Sequence, residues 1–343
     1  IRLSLVGSEM CIRDSPQKWQ IPVGTQIAGN GFLLIWTDGL NTGLHTSFKL
    51  AAEGEELALF NASGILVDSL RFGQQEANVS MGRTTDGGNL WGFFTSSTPG
   101  SKNNTEVFNG IVHQKPQFSI LGGIFTSAQT LSITNTMGGA IHYTTDGSEP
   151  QLFSPIVNHP LQIHETTVIR ARIFEPNKVP GKVITQSYFI AQNNPFPELP
   201  VVAISTDPAN FWDAEKGIYV QNFKPSWEIP INIELFENDG SDRAGFNLEA
   251  GAKINGLFSW QLPQKMMGIY FRKSYGEGKL DYPLLFDRDR KSFDSFALRA
   301  SGSDWAYSLF RDGMTQSLTR ENMDVDFQGH RACVVYVNGI YLG

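Results

Sequence analysis

Apolar and polar residues alternate with period two along most of this chain, in short runs broken by glycine and proline. That pattern predicts half-buried strands joined by tight turns. In residues 19–103, Gly31-Phe-Leu-Leu-Ile-Trp36 reads as a buried strand between the Asn30-Gly31 and Asp38-Gly39 turns. Residues 56–60 and 65–70 flank Asn61-Ala-Ser-Gly64 as a hairpin, with Leu57, Leu59, Leu66 and Leu70 expected on one face. Residues 140–144 and 167–173 alternate again, and 181–190 end in an aromatic strand. Asn193-Asn-Pro-Phe-Pro-Glu-Leu-Pro200 reads as a linker, because repeated proline blocks sheet and helix alike.

Beyond the linker the pattern becomes mixed. Residues 199–205 read as a buried strand, and Asp207-Pro208 as the cap and first position of a short helix. Strands are expected at 231–236, 251–254, 268–272 and 332–337, the last followed by an Asn338-Gly339 hairpin turn. One long helix is expected over 304–321. Trp305, Leu309, Met314 and Leu318 recur there at helical spacing, with Arg311, Asp312 and Arg320 for the wet face.

The chain has 343 residues, enough for two or three domains, and 27 basic against 34 acidic residues give a net charge of -7. That balance argues against a nucleic-acid partner, which needs a basic footprint. No apolar run reaches the length of a membrane-spanning helix. Of the two cysteines, Cys11 falls in a segment of neither helical nor strand periodicity, residues 1–15, which resembles a translated sequencing adapter and is expected to be a non-native leader. Cys333 then stands alone in an apolar strand, an inert core thiol by expectation. The chain is expected to be a window on a longer protein, because it stops as a hairpin begins.

Several words of residues 16–104 resemble the bacterial lamin-tail domain. They are Trp19-Gln-Ile-Pro22, Gly31-Phe-Leu-Leu-Ile-Trp36, Leu44-His-Thr-Ser-Phe-Lys-Leu50, Gly54-Glu-Glu-Leu-Ala-Leu-Phe60, Val67-Asp-Ser-Leu-Arg-Phe-Gly73, Ser80-Met-Gly-Arg83 and Thr98-Pro-Gly-Ser101 with Asn103. In residues 112–191, Gly122-Gly-Ile-Phe125, Ile141-His-Tyr-Thr-Thr-Asp-Gly-Ser-Glu-Pro150 and Ile169-Arg-Ala-Arg172 are similar to the C-terminal domain of chitobiases and β-hexosaminidases.

Residues 196–343 resemble the N-terminal part of the spore-coat protein H (CotH) kinase-like family. The words are Leu199-Pro-Val-Val202, Gly217-Ile-Tyr-Val220, Lys253-Ile-Asn-Gly256, Pro263-Gln-Lys265, Tyr270-Phe-Arg272, Lys279-Leu-Asp-Tyr-Pro-Leu284, Phe293-Asp-Ser-Phe-Ala-Leu-Arg299, Arg311-Asp312 and Val334-Val-Tyr-Val-Asn-Gly339. Together these resemblances imply a multidomain chain: two all-β immunoglobulin-like sandwiches followed by a truncated α+β kinase-like domain.

One constellation is a candidate for chemistry. A glycine turn and a following lysine let backbone amides and one ammonium meet nucleotide phosphates. Here Gly256 would permit close approach, Ser259 add a hydroxyl, Lys265 face phosphate and Glu321 orient that lysine. No catalytic or metal-binding residue is assigned; ATP and Mg²⁺ are expected only for a complete parent, and no cofactor for this fragment. Asp146 and Glu149 lie in an Asp-Gly turn, a structural place for acids, rather than as a glycosidase pair. His45 lacks a second ligand nearby, and Asp281, Asp287, Asp289 and Asp294 lack calcium-loop spacing.

The implied function is that of structural or adhesive sandwich modules in a secreted or cell-surface bacterial protein. One alternative is a CotH-type kinase acting on itself or on surface or coat proteins. Another is carbohydrate binding, with Trp91, Phe93 and Phe94 as stacking candidates.

Overall fold

A computed structural model describes residues 3–7, 18–190, 198–220, 227–240, 244–256, 259–286 and 289–343, with residues 3–7, 259, 303, 321 and 322 described by backbone alone. Among the described residues the chain is mostly β, with strands far outnumbering helices. It divides into two compact units, Ile1–Ile111 with Asn177–Val179, and Val112–Pro176 with Pro180–Gly343.

In the first unit, Glu55–Asn61 and Leu66–Phe72 form the expected hairpin, and Ser80–Arg83 pairs with Trp91–Phe94. Two expectations fail there. Residues 31–36 form no strand: only isolated bridges join Trp36 to His45 and Asp38 to Lys49. Phe32, Leu34 and Trp36 are 44%, 43% and 54% exposed. The hairpin also does not bury its leucines together. Its register shifts between Leu59 and Phe60, so the inward alternation breaks; Ala58 is buried while Leu66 is exposed.

Most of the leader segment lies outside the described residues, but Leu3–Gly7 is a strand, contrary to expectation. It lies between Trp19–Gln20 and Glu55–Asn61 and pairs with five consecutive residues of the latter. Backbone pairing needs no side-chain periodicity, which is why the pattern did not reveal it.

The second unit holds two stacked β systems. In the first, Ala140–Thr144, Thr167–Phe174, Ile184–Ile190 and Gly123–Phe125 form one sheet. It is faced by the pairs Gln129–Leu131 with Leu161–Ile163 and Gln117–Phe118 with Ile133–Thr134. Leu131, Ile169, Ala171, Ile173 and Tyr188, all fully buried, form the core of this sandwich.

The other system is a seven-stranded sheet in the order Ser295–Leu298, Met267–Tyr270, Phe246–Ile254, Ile229–Phe236, Val201–Ser205, Val334–Val337, Ile340–Tyr341. Only the pair of Val201–Ser205 with Val334–Val337 is parallel. The helix Pro208–Trp212 starts as expected, with Asp207 Oδ1 accepting from the Ala209 amide. Ile231, Ile233 and Leu235 line the core that contains Phe211, Met267 and Ile269.

The opposite face of this sheet covers the sandwich. Phe189 packs edge-on against Phe236 and Tyr336, with ring centroids 5.5 and 4.8 Å away. Val201, Ala203 and Val334 complete that layer. Strand Ile229–Phe236 is therefore buried on both faces, as strands between two packed layers are. Stacking at about 10 Å brings the alternate residues Thr185, Ser187 and Phe189 toward Asn232, Glu234 and Phe236.

The long helix is shorter and wetter than the pattern predicts. It runs over Arg311–Asn322, preceded by a 3₁₀ turn at Gly302–Asp304. Asp304 takes hydrogen bonds from the Ser308 hydroxyl at 2.5 Å and the Arg311 amide at 3.2 Å, and Leu309 sits at φ +64°, breaking any continuous helical path. Leu309, Met314 and Leu318, expected to face a core, are exposed.

Candidate functional site

Strands Phe246–Ile254 and Met267–Tyr270 pair up to Ile254 and Met267, and the Asn255 amide donates to the Met266 carbonyl at 2.9 Å. This hairpin brings Gly256, Ser259 and Lys265 into one connecting loop. Gly256 is exposed with φ +100°, a backbone state that suits glycine. The Ser259 side chain lies outside the described residues. So does that of Glu321, whose backbone belongs to the helix Arg311–Asn322.

Lys265 is half-buried. Its ammonium donates to the carbonyls of Trp260 at 2.5 Å and Leu262 at 3.1 Å, and lies 5.3 Å over the Tyr219 ring. The Tyr219 hydroxyl accepts from the Lys265 amide at 3.0 Å. Partial burial pushes the ammonium below its ordinary pKa. The side chain thus folds back on its own loop, tying 260–265 together, and contact with a phosphate would exchange backbone carbonyls for phosphate oxygens. Among the described residues no three His, Cys, Asp or Glu side chains gather to hold a metal.

A second polar cluster, unforeseen in the sequence, lies between the stacked sheets. Glu234 has no solvent exposure. Its Oε2 lies 2.5 Å from Ser187 Oγ, and its Oε1 accepts from the Ser187 amide at 3.3 Å and from Asn247 Nδ2 at 3.1 Å. Asn247 Nδ2 also donates to the Thr185 carbonyl at 2.8 Å, so one amide bridges both sheets. Asn232 Nδ2 donates to Asn247 Oδ1 at 2.8 Å. Burial pushes the Glu234 carboxyl up to about 7, against the opposing pull of Ser187. The alternation Asn232-Ile-Glu234 reads as a solvated face, so only the covering sheet reveals this seam.

The remaining candidates take structural places. Asp146 Oδ1 accepts from the Ser148 amide and hydroxyl at 2.9 and 2.6 Å, closing the expected Asx turn. Desolvation raises the Asp146 carboxyl pKa, but these bonds outweigh it and hold the carboxyl low. Glu149 approaches Arg172 at 3.9 Å. His45 Nδ1 meets Asp38 Oδ2 at 2.5 Å, with Trp36 stacked nearby. Phe94 is buried, and the Arg83 guanidinium covers Trp91 at 4.6 Å. Asp294 approaches Lys279 at 3.6 Å, and Asp287 lies outside the described residues.

Comparison with known proteins bears on the sandwich. The family model described as the chitobiase/beta-hexosaminidase C-terminal domain matches residues 120–185. Those residues lie within the β-sandwich of the second unit. No curated protein and no solved structure matches the chain.

Proposed function

We propose that this chain belongs to a secreted or cell-surface bacterial protein in which the chitobiase-like sandwich is a structural, adhesive-type module fixed to the seven-stranded domain. The observation that supports this reading is the shared layer of Phe189, Phe236, Tyr336 and Glu234, on which the two β systems pack against each other. A module that lends one sheet face to a neighbour serves as a rigid mount more readily than as a free appendage. The experiment is urea denaturation of the full chain followed by hydrogen exchange. Thr167–Phe174 and Ile229–Phe236 should lose protection at the same urea concentration; separate midpoints would remove the shared body. The carbohydrate reading remains attached to the matched module, and glycan binding by the full chain is its test.

A second reading has its own observation. The pairing of Phe246–Ile254 with Met267–Tyr270 leaves Gly256 and Lys265 in one connecting loop, which supports reading that loop as phosphate-facing under the CotH resemblance. On this reading the parent is a kinase that takes ATP and phosphorylates itself or surface or coat proteins, with Lys265 leaving its loop carbonyls for phosphate. ATP binding and phosphate transfer by the longer parent should fall with Lys265→Ala. Transfer unchanged by that substitution would remove Lys265 from the site.

A further inference from the structure

The seam between the sheets combines full burial with incomplete polar pairing. Thr185 stands directly across from Arg170 in the sandwich sheet, and Asn232 across from Glu249 in the other. Among the described residues, the buried side-chain atoms with no hydrogen-bond partner are Arg170 Nε, Thr185 Oγ1 and Asn232 Oδ1. All three belong to this seam. Unpartnered buried polar groups favour any arrangement that hydrates them, so the seam is a plane along which the unit can open.

Glu234 decides whether it does. Its hydrogen bonds come from Ser187 and Asn247, and among the described residues it forms no ion pair. Every charged or titratable group around it is otherwise engaged. From strand Thr167–Phe174, Arg170 donates to the Gly147 carbonyl at 2.7 Å, and its charge is drawn first to Glu249, then to Glu149, Asp207 and Asp146. From Phe246–Ile254 comes Glu249, itself pushed up by burial. From Ile184–Ile190 comes Tyr188, whose phenol burial and the Glu234 charge both push up. Val201–Ser205 brings Ala203 opposite Glu234, with no charge. An ionised Glu234 would thus be a buried anion with three hydrogen-bond donors but, among the described residues, no counter-charge, a costly state for such a group.

We propose that this seam is a proton-operated clasp: protonated Glu234 keeps the sandwich pressed onto the seven-stranded sheet, and ionised Glu234 lets the seam open to water. The clasp rests on the shared-body reading above. Its sign follows from linkage. The carboxyl titrates near 7 when closed and near its ordinary 4.5 when hydrated, so the closed seam binds more protons. Closure is therefore fully favoured below about 4.5 and is progressively lost as pH rises through about 7. Between about pH 5.5 and pH 8 the opening constant should rise roughly 25-fold.

The test is hydrogen exchange of the full chain at those two pH values, corrected for the intrinsic pH dependence of exchange and read in Ile184–Ile190 and Ile229–Phe236. The wild type should show the rise, and Glu234→Gln, which keeps the shape without the charge, should show none. A wild type equally protected at both pH values, or a glutamine variant rising as steeply, would overturn the clasp. If Glu234→Gln fails to fold, Ser187→Ala serves instead. It removes a bond that favours the ionised form, so the opening midpoint should move further up, and an unmoved midpoint would overturn the proposal. Absence of protection in both segments at both pH values would sink the shared body itself, whereas equal protection sinks only the clasp.

Discussion

Gly147 offers the sharpest perturbation of the joint. It lies in the Asp-Gly turn of the sandwich at φ +88°, and an added Cβ would overlap the Asn338 side chain. Asn338 is itself committed: Oδ1 accepts from the Thr206 amide and Nδ2 donates to the Thr206 carbonyl, both at 2.9 Å. Gly147→Ala therefore has two costs. A side chain at positive φ costs about 1–2 kcal/mol, and displacing Asn338 forfeits two hydrogen bonds at about 1 kcal/mol each. The sum is roughly 3–4 kcal/mol. In an Asn338→Gly background, which keeps the positive φ and removes the obstructing side chain, only the backbone cost should remain. Urea unfolding of the four proteins at fixed pH measures both values. If Gly147→Ala costs the same in both backgrounds, the turn does not rest on Asn338 and the reasoning fails.

Three further outcomes are expected. Ile169→Ala, fully buried in the sandwich core, should destabilise the unit by about 2–5 kcal/mol in urea unfolding. Asp304→Ala should free the start of Arg311–Asn322, and hydrogen exchange should show lost protection in its first turn alone. Burial pushes the Cys333 thiol up, so at neutral pH it should react with a disulfide reagent at least about tenfold more slowly than a small free thiol; equal rates would mean that the thiol is open.

What the sequence made legible was local. The Asp207-Pro208 start, the Asn338-Gly339 turn and strand Ile229–Phe236 each carry their signal within a few residues, and each is present. The Asx turn at Asp146 was readable for the same reason. Helical spacing misled at Leu309, because hydrogen bonds to Asp304 start the helix later than the apolar period does. The continuous apolar run misled at Phe32, Leu34 and Trp36, since such a run marks a segment to be covered but does not supply the cover. The seam was invisible for the converse reason. Ser187 and Glu234 are 47 positions apart, and each alone looks like a solvent-facing polar residue in a strand. The loop grouping Gly256 with Lys265 follows from spacing, but the turn of the ammonium onto Trp260 and Leu262 does not.

The central claim, that sandwich and seven-stranded sheet share one packed layer, is tested most directly by a double-mutant cycle between Phe189 and Phe236. Their rings meet edge-on at 5.5 Å. Stabilities of the full chain, Phe189→Leu, Phe236→Leu and the double variant, measured by urea unfolding at about pH 6, give the coupling. A coupling of about 0.5–1.5 kcal/mol is expected for an aromatic pair in contact. Additivity to within about 0.3 kcal/mol would mean that the rings do not touch in solution and would contradict the claim.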